Sequence, residues 1–498
     1  MNRLILTTLG AAMLAAGCTL APTYERPVAP VATTFPHGAA YDSPPATQRS
    51  AGGYAAVDIG WREFFADPRL QRLIELALQN NRDLRVAALK VEEARAQYRI
   101  QRAALIPTLE ADGTGTRSRT PKDLSYTGRA TVSGDYEVAA GAAWELDFFG
   151  KVKSLTQQAL QTYFATAEAR KAEEILLVSQ VADQYLTLVA YDEMLKVTAQ
   201  TRDAARRSYA LTKLQYDTGT GSELDLREAA GTLQQADANY ESQQRSRAQA
   251  ENALVELIGA PLPADLPAGL SLSDQRLLAD IPAGLPSDLL TRRPDIMEAE
   301  ATLKAANANI GAARAAFFPS ISLTGDFGTA SASLGSLFKP GQLAWSFGPT
   351  ITVPIFEGGQ NRANLDLAKL EKNVAIAQYE KAIQTAFREV ADGLAARGTY
   401  DRQIDDLRQN AQSQRRRYEL SDLRYRNGVD SYLNVLTAQT DLYSAQQSLI
   451  SASLARLTNL VDLYQYLGGG WIERTGDTPR RSDAPYATGE AVASHVTS

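Results

Sequence analysis

Two halves of this chain carry the same residues in the same order, and that duplication limits the fold more than any other feature. Arg102-Ala103-Ala104-Leu105-Ile106-Pro107 returns as Arg314-Ala315-Ala316-Phe317-Phe318-Pro319, and Asp83-Leu84 as Asp295-Ile296, both 212 residues later. Val181-Ala182-Asp183 returns as Val390-Ala391-Asp392 at an offset of 209. At that same offset Tyr209, Leu211, Leu214, Tyr216, Gly219, Ser222, Leu224 and Ala229 match Tyr418, Leu420, Leu423, Tyr425, Gly428, Ser431, Leu433 and Ala438. Chance does not hold a register over so many positions. The change of three residues between the offsets requires a small indel within each repeat.

Each repeat reads as helix, hairpin, long helix, helix. Residues 69–106 and 151–218 contain neither Gly nor Pro, so each is expected to run as helix without a breaker. At about 1.5 Å per residue the longer stretch reaches roughly 100 Å. Val178, Ala182, Tyr185 and Val189, with Val181, Leu188 and Leu195, form a seam at spacings of four, three and seven. Leu454, Leu457, Val461 and Tyr464 repeat it in the second half. Lateral helix packing in a coiled-coil-like wall follows, not a globular core.

Residues 108–147 and 320–356 have a period of two, the signature of strands with one apolar face. Trp345, Phe347 and Ile351 alternate with Ser346, Gly348 and Thr352 around them, and Trp144, Leu146 and Phe148 with Glu145 and Asp147. Each segment has room for two strands and a turn, with Pro121, Gly128, Gly335 and Pro340 as turn residues. The expected domains are a first repeat over 61–265, a Pro-rich linker over 266–293 and a second repeat over 294–472. An N-terminal segment over 18–60 and a tail over 473–498 are expected to be extended or disordered.

The N-terminus carries a separate message. Arg3, the apolar stretch Leu4 to Leu14 and the small residues Ala15-Ala16-Gly17 form a secretory signal over 1–17. Cys18, the only cysteine in 498 residues, follows directly, as in a bacterial lipoprotein cleavage box. Its thiol would carry the lipid. With only two histidines, His37 and His495, a metal site is not expected, nor is any cofactor beyond that lipid. A formal net charge of -6 argues against nucleic acid. No Ser/His/Asp set or phosphate-binding loop appears, so no enzyme is expected.

Four strands per chain cannot close a barrel in lipid, where an open edge leaves unpaired backbone groups. Two chains would give a barrel filled by side chains, and three a barrel wide enough for a lumen. A homotrimer with a wall of long helices is expected.

On these features the sequence resembles the outer-membrane factors of tripartite efflux systems, the TolC family, in its lipidated OprM-type branch. The motifs are Ile59-Gly60-Trp61-Arg62-Glu63-Phe64-Phe65 before Asp67-Pro68, Gly284-Leu285-Pro286-Ser287-Asp288-Leu289-Leu290, Arg292-Arg293-Pro294-Asp295 and Tyr379-Glu380-Lys381-Ala382-Ile383-Gln384. The resemblance implies a mainly α fold: a long helical barrel, a shared twelve-stranded transmembrane β-barrel and an equatorial belt. It implies a passive gated duct for drug efflux through the outer membrane and periplasm. Its implied partners are a periplasmic adaptor and an inner-membrane transporter of the resistance-nodulation-division class. A conduit for type I protein secretion and a periplasmic coiled-coil adaptor are the competing readings, the second opposed by the duplicated strands.

The helical turns at Gly219-Thr220-Gly221 and Gly428-Val429 are expected to form the periplasmic tip and to meet the adaptor. In the resemblance Leu433 matches an apolar constriction and Tyr425 a tyrosine in inter-helix gate bonds. The family's acidic and basic gate residues match Thr437 and Thr440, both uncharged here. Closure is therefore expected to rest on Leu433, with Asp217, Asp225 and Asp430 supplying negative charge near the mouth.

Overall fold

The computed structural model describes residues 19–41, 54–275, 277–278 and 286–477. The signal segment, Cys18 and most of the tail lie outside the described residues. In chain order the elements are α1 (Trp61–Phe64), α2 (Pro68–Asn80), α3 (Arg82–Ala103), β1 (Thr108–Thr120), β2 (Thr131–Leu146), α4 (Lys151–Asp217) and α5 (Glu223–Ile258). They continue with α6 (Pro286–Arg292), α7 (Pro294–Ala315), β3 (Ser320–Ser331), β4 (Leu343–Thr352), α8 (Gln360–Arg426) and α9 (Tyr432–Tyr466).

The duplication is visible element by element. α3 and α7 have 22 residues each, and α4 and α8 have 67 each. Their starts differ by 212 for the first pair (82 to 294) and by 209 for the second (151 to 360). The indel therefore falls between those helices, in the segment that holds the hairpin.

One expectation needs correction: residues 69–106 are not a single helix. The chain breaks at Asn81, whose backbone is non-helical at φ -58° and ψ 135°. Its side chain accepts a hydrogen bond from the Leu84 N–H at 2.8 Å and donates to the Leu257 carbonyl at 2.8 Å. Asparagine competes for backbone groups in this way and starts a second helix without any Gly or Pro.

The chain divides into two compact units, each drawing on both repeats. The first contains residues 19–28, 89–167 and 298–380. Its strands form one antiparallel sheet in the order β1-β2-β3-β4. The register places Leu109, Ala142, Gly325 and Phe347 in one row, and Ala140, Phe327 and Trp345 in the next. Trp144, Leu323 and Pro349, then Leu146, Ile321 and Ile351, continue this apolar face. The opposite face carries Glu110, Asp112, Asp135, Glu137, Glu145 and Asp326 among Ser, Thr, Gly and Ala. Phe327, Trp345, Phe347 and Ile351 are exposed, so the apolar face is uncovered in the single chain. β1 and β4 each have one unpaired edge among the described residues.

Residues 19–26 form a strap on α7. The Pro22 carbonyl accepts from Asn307 at 2.7 Å, the Leu20 carbonyl from Arg314 at 3.0 Å, and Arg26 grips Glu300 with two bonds of 2.9 Å. Burial opposes ionisation of Glu300, but Arg26, Lys304 and the Tyr24 hydroxyl hold its carboxylate below the ordinary range.

The second unit contains residues 29–41, 54–88, 168–275, 277–278, 286–297 and 381–477. Most of the seam read from spacing is its core: Val178, Val181, Ala182, Tyr185, Leu188, Leu457, Val461 and Tyr464 are buried, while Val189, Leu195 and Leu454 are only half-buried. The Phe64 ring stacks on Tyr464 at 4.1 Å, and the Tyr464 hydroxyl donates to the Ile59 carbonyl at 2.6 Å. Asp67 ties the segment that follows α5 to α4. Its buried carboxylate accepts from the Tyr185 hydroxyl (2.8 Å), the Leu270 N–H (2.9 Å), the Gln275 amide (2.8 Å) and the Arg69 N–H (2.8 Å).

Candidate functional site

Both helical turns lie in the second unit and are closed alike. The Gly219 N–H donates to the Tyr216 carbonyl and the Thr220 N–H to the Gln215 carbonyl, both at 2.9 Å. In the second copy Gly428 donates to Tyr425 at 2.9 Å and Val429 to Arg424 at 3.0 Å. This paired arrangement ends a helix only with a left-handed residue, and Gly219 and Gly428 take φ of 76° and 71°. Gly221 donates to the Gln215 carbonyl at 2.9 Å, and Val429 stands exposed.

Beyond the backbone the copies diverge. Ser222 caps α5 by accepting from the Asp225 N–H at 3.1 Å. Ser431 makes no such side-chain bond. There Asp430 accepts from its N–H (2.9 Å), the Asn434 amide (2.6 Å) and Arg424 (3.0 Å). Those three groups hold the Asp430 carboxylate below its ordinary range. Asp217 is paired with Lys213 at 2.9 Å on its own helix. The carboxylates expected to charge the mouth thus include two with cationic partners.

Above the turns a tyrosine cluster joins the repeats. Tyr432 is buried with Ala229, Val435 and Leu436, and Tyr209, Tyr418 and Tyr425 pack on it. The Ser208 hydroxyl donates to the Tyr432 hydroxyl at 2.7 Å, and the Tyr425 hydroxyl donates to Gln215 Oε1 at 3.0 Å. Gln439 reaches the Thr201 carbonyl at 3.2 Å, and the Thr198 and Tyr443 hydroxyls are 3.0 Å apart. Sequence reasoning picked Tyr425 but missed its partner Gln215, 210 residues away, and the Ser208–Tyr432 pair, whose members are 224 residues apart. Thr437 and Thr440 donate to the Leu433 and Leu436 carbonyls of their own helix, at 2.9 and 3.0 Å. Leu433 is 57% exposed and its repeat counterpart Leu224 67%. No metal-binding cluster occurs among the described residues.

Paired copies of a helical hairpin and a two-faced sheet define a membrane-channel class of protein, and comparison with known proteins specifies it. The family model for outer membrane efflux protein matches residues 73–260 and 285–469. The probable efflux pump outer membrane protein TtgC of Pseudomonas putida is 48% identical over 483 residues, 97% of this chain and 99% of the relative. Outer membrane protein OprJ of Pseudomonas aeruginosa is 48% identical over 472 residues, 94% of this chain and 95% of the relative. The open state of the MtrE outer membrane channel of Neisseria gonorrhoeae superimposes with a TM-score of 0.82 at 43% identity, covering 92% of this chain and 100% of that one. The chain belongs to the outer membrane efflux protein family, and the outer membrane is its place.

Proposed function

We propose that the chain is the exit duct of a tripartite drug-efflux pump, working as a homotrimer with a periplasmic adaptor and a resistance-nodulation-division transporter. One observation carries this reading: a four-stranded sheet with an apolar face, a polar face and two unpaired edges. In lipid those edges must find partners, and β4 of one copy meeting β1 of the next closes a ring. Twelve strands then enclose a lumen lined by the acidic face. Helical surfaces support the same assembly: Leu89 and Ile100 of α3, and Leu367, Leu370 and Val374 of α8, are exposed in the single chain. The duct is passive and performs no catalysis. Cys18 carries the lipid: the strap runs antiparallel to α7, bringing residue 19 to the helix end that leads into β3.

The test is complementation of a strain lacking the gene, with outer-membrane fractions run unheated on a denaturing gel. Restored drug tolerance and a heat-dissociable trimer band are expected. A monomer that stays soluble without detergent would overturn the reading.

A further inference from the structure

The hydrogen bonds that cross the tip seam inside one chain are neutral, although the Arg207 guanidinium on α4 lies close enough to act on the Tyr418 hydroxyl of α8. Every side-chain bond described above between α4 and α8 or α9 joins uncharged groups: Ser208–Tyr432, Gln215–Tyr425, Gln439–Thr201 and Thr198–Tyr443. Charged residues near the tip pair within one repeat: Arg417–Asp441 at 2.6 Å, Arg424–Asp430 at 3.0 Å, Arg227–Glu223 at 3.1 Å and Lys213–Asp217 at 2.9 Å.

The duplication makes a second seam inevitable in a closed ring. Within one chain, the last helix of the second repeat, α9, packs on the first long helix of the first, α4. By the repeat's own symmetry, α5 of one copy packs on α8 of its neighbour. Adding 209 to Ser208 gives Arg417, and subtracting 209 from Tyr432 gives Glu223. The same step turns the Tyr425–Gln215 pair into Tyr216 and Arg424. Exposure agrees: Tyr432 is 3% exposed, whereas the Glu223 and Arg417 side chains are 62% and 49% exposed in the single chain. Tyr432 is thus covered inside the chain, while the positions that correspond to its pair are left open in the single chain.

From this correspondence, which rests on the trimeric reading above, we infer that the seam between subunits is ionic where the hydrogen bonds across the seam within a subunit are neutral, with Arg417 facing Glu223 of the partner subunit. Arg424 faces Tyr216 of the partner subunit in the same way. Charge complementarity selects the partner: a second copy brings a carboxylate to each guanidinium in rotation, three times around the ring. Arg417 has donors enough to keep Asp441 as well. Opening that parts subunits breaks ion pairs, while opening that parts repeats breaks only neutral hydrogen bonds. The two motions therefore respond differently to salt, since exposed ion pairs are screened.

The experiment is a charge swap in the full-length lipidated trimer, read in planar bilayers at low and high salt as closed-state conductance divided by the conductivity of the bathing solution. Arg417→Glu and Glu223→Arg should each raise the baseline several-fold, and the double variant should return it towards wild type. Wild-type baseline should itself rise with salt. Asp441→Asn, measured alongside, accounts for the lost intrachain pair. A double variant as leaky as either single one, in a particle whose mass is still trimeric, would overturn the inference; so would a wild-type baseline independent of salt. A wild-type particle that is not a trimer would instead remove the functional reading beneath it.

Discussion

The Tyr425 hydroxyl on α8 donates to Gln215 Oε1 on α4 at 3.0 Å, tying the end of one repeat's long helix to that of the other. Its ring lies 5.2 Å from that of Tyr432, so the phenol is held by packing as well as by the bond. Tyr425→Phe keeps the ring and deletes the bond. A neutral hydrogen bond is worth about 1 kcal/mol, on the order of fivefold in an opening equilibrium. Bilayer recordings should show a higher baseline, with assembly unchanged. A wild-type baseline would mean that this bond does not restrain the gate.

Leu433 offers a different kind of closure. It is exposed in the single chain, and the adjacent Thr437 and Thr440 spend their hydroxyls on their own helix. No charged latch stands at those two positions, and the expectation that a ring of Leu433 side chains is the barrier can be tested directly. Such rings gate by dewetting. Leu433→Ala should raise closed-state conductance several-fold, and Leu433→Ile should leave it near wild type. Equal baselines in all three proteins would exclude an apolar gate.

Asp67 concerns the segment that follows α5 rather than the turns. Asp67→Ala leaves the Tyr185 hydroxyl, the Gln275 amide and two backbone N–H groups without their acceptor. Each buried donor left without an acceptor costs about 1–3 kcal/mol. Limited proteolysis should cut residues 262–275 much faster, while the sheet and the turns remain protected. Cleavage at the wild-type rate would show that other contacts hold this segment.

Asp67 also marks what could be seen in the linear chain. The Asp67-Pro68 pair was visible as a helix start and part of a motif, but its hold on Leu270 and Gln275, some 200 residues away, was not. Periodicity reports one element at a time, so the hairpins and the Val178–Leu188 seam were legible. The internal register supplied long-range correspondence and placed the two turns. Asn81 escaped because a helix break made by side-chain capping needs no Gly or Pro. The strap on α7 escaped because Glu300, Asn307 and Arg314 read as ordinary solvent-facing side chains of a helix until residues 20–26 lie across them.

The duplicated Val-Ala-Asp triplet gives the last prediction, because its two aspartates have opposite surroundings. Asp392 is 69% exposed beside Arg388, whereas Asp183 is largely buried with Oδ1 unpartnered. Burial, and then the charge of Asp462 on α9, push the Asp183 carboxyl up to about 8. Asp462 is itself raised by burial and by Glu389 on α8, whose charge is shared with Arg293 at 2.9 Å; Tyr466 also faces this group. In the unfolded chain Asp183 reverts to 3.8. A carboxyl raised by folding favours the fold fully below the unfolded value, and that contribution is lost as pH climbs to the folded value. Between about pH 4 and 8 the unfolded state releases a proton that the folded state keeps, a slope of at most about 1.4 kcal/mol per pH unit. Asp183→Asn removes the linkage. Its melting temperature should exceed wild type at pH 8 and approach it at pH 4, whereas Asp392→Asn should run parallel to wild type throughout. Parallel curves for Asp183→Asn would show that the buried carboxyl ionises without cost.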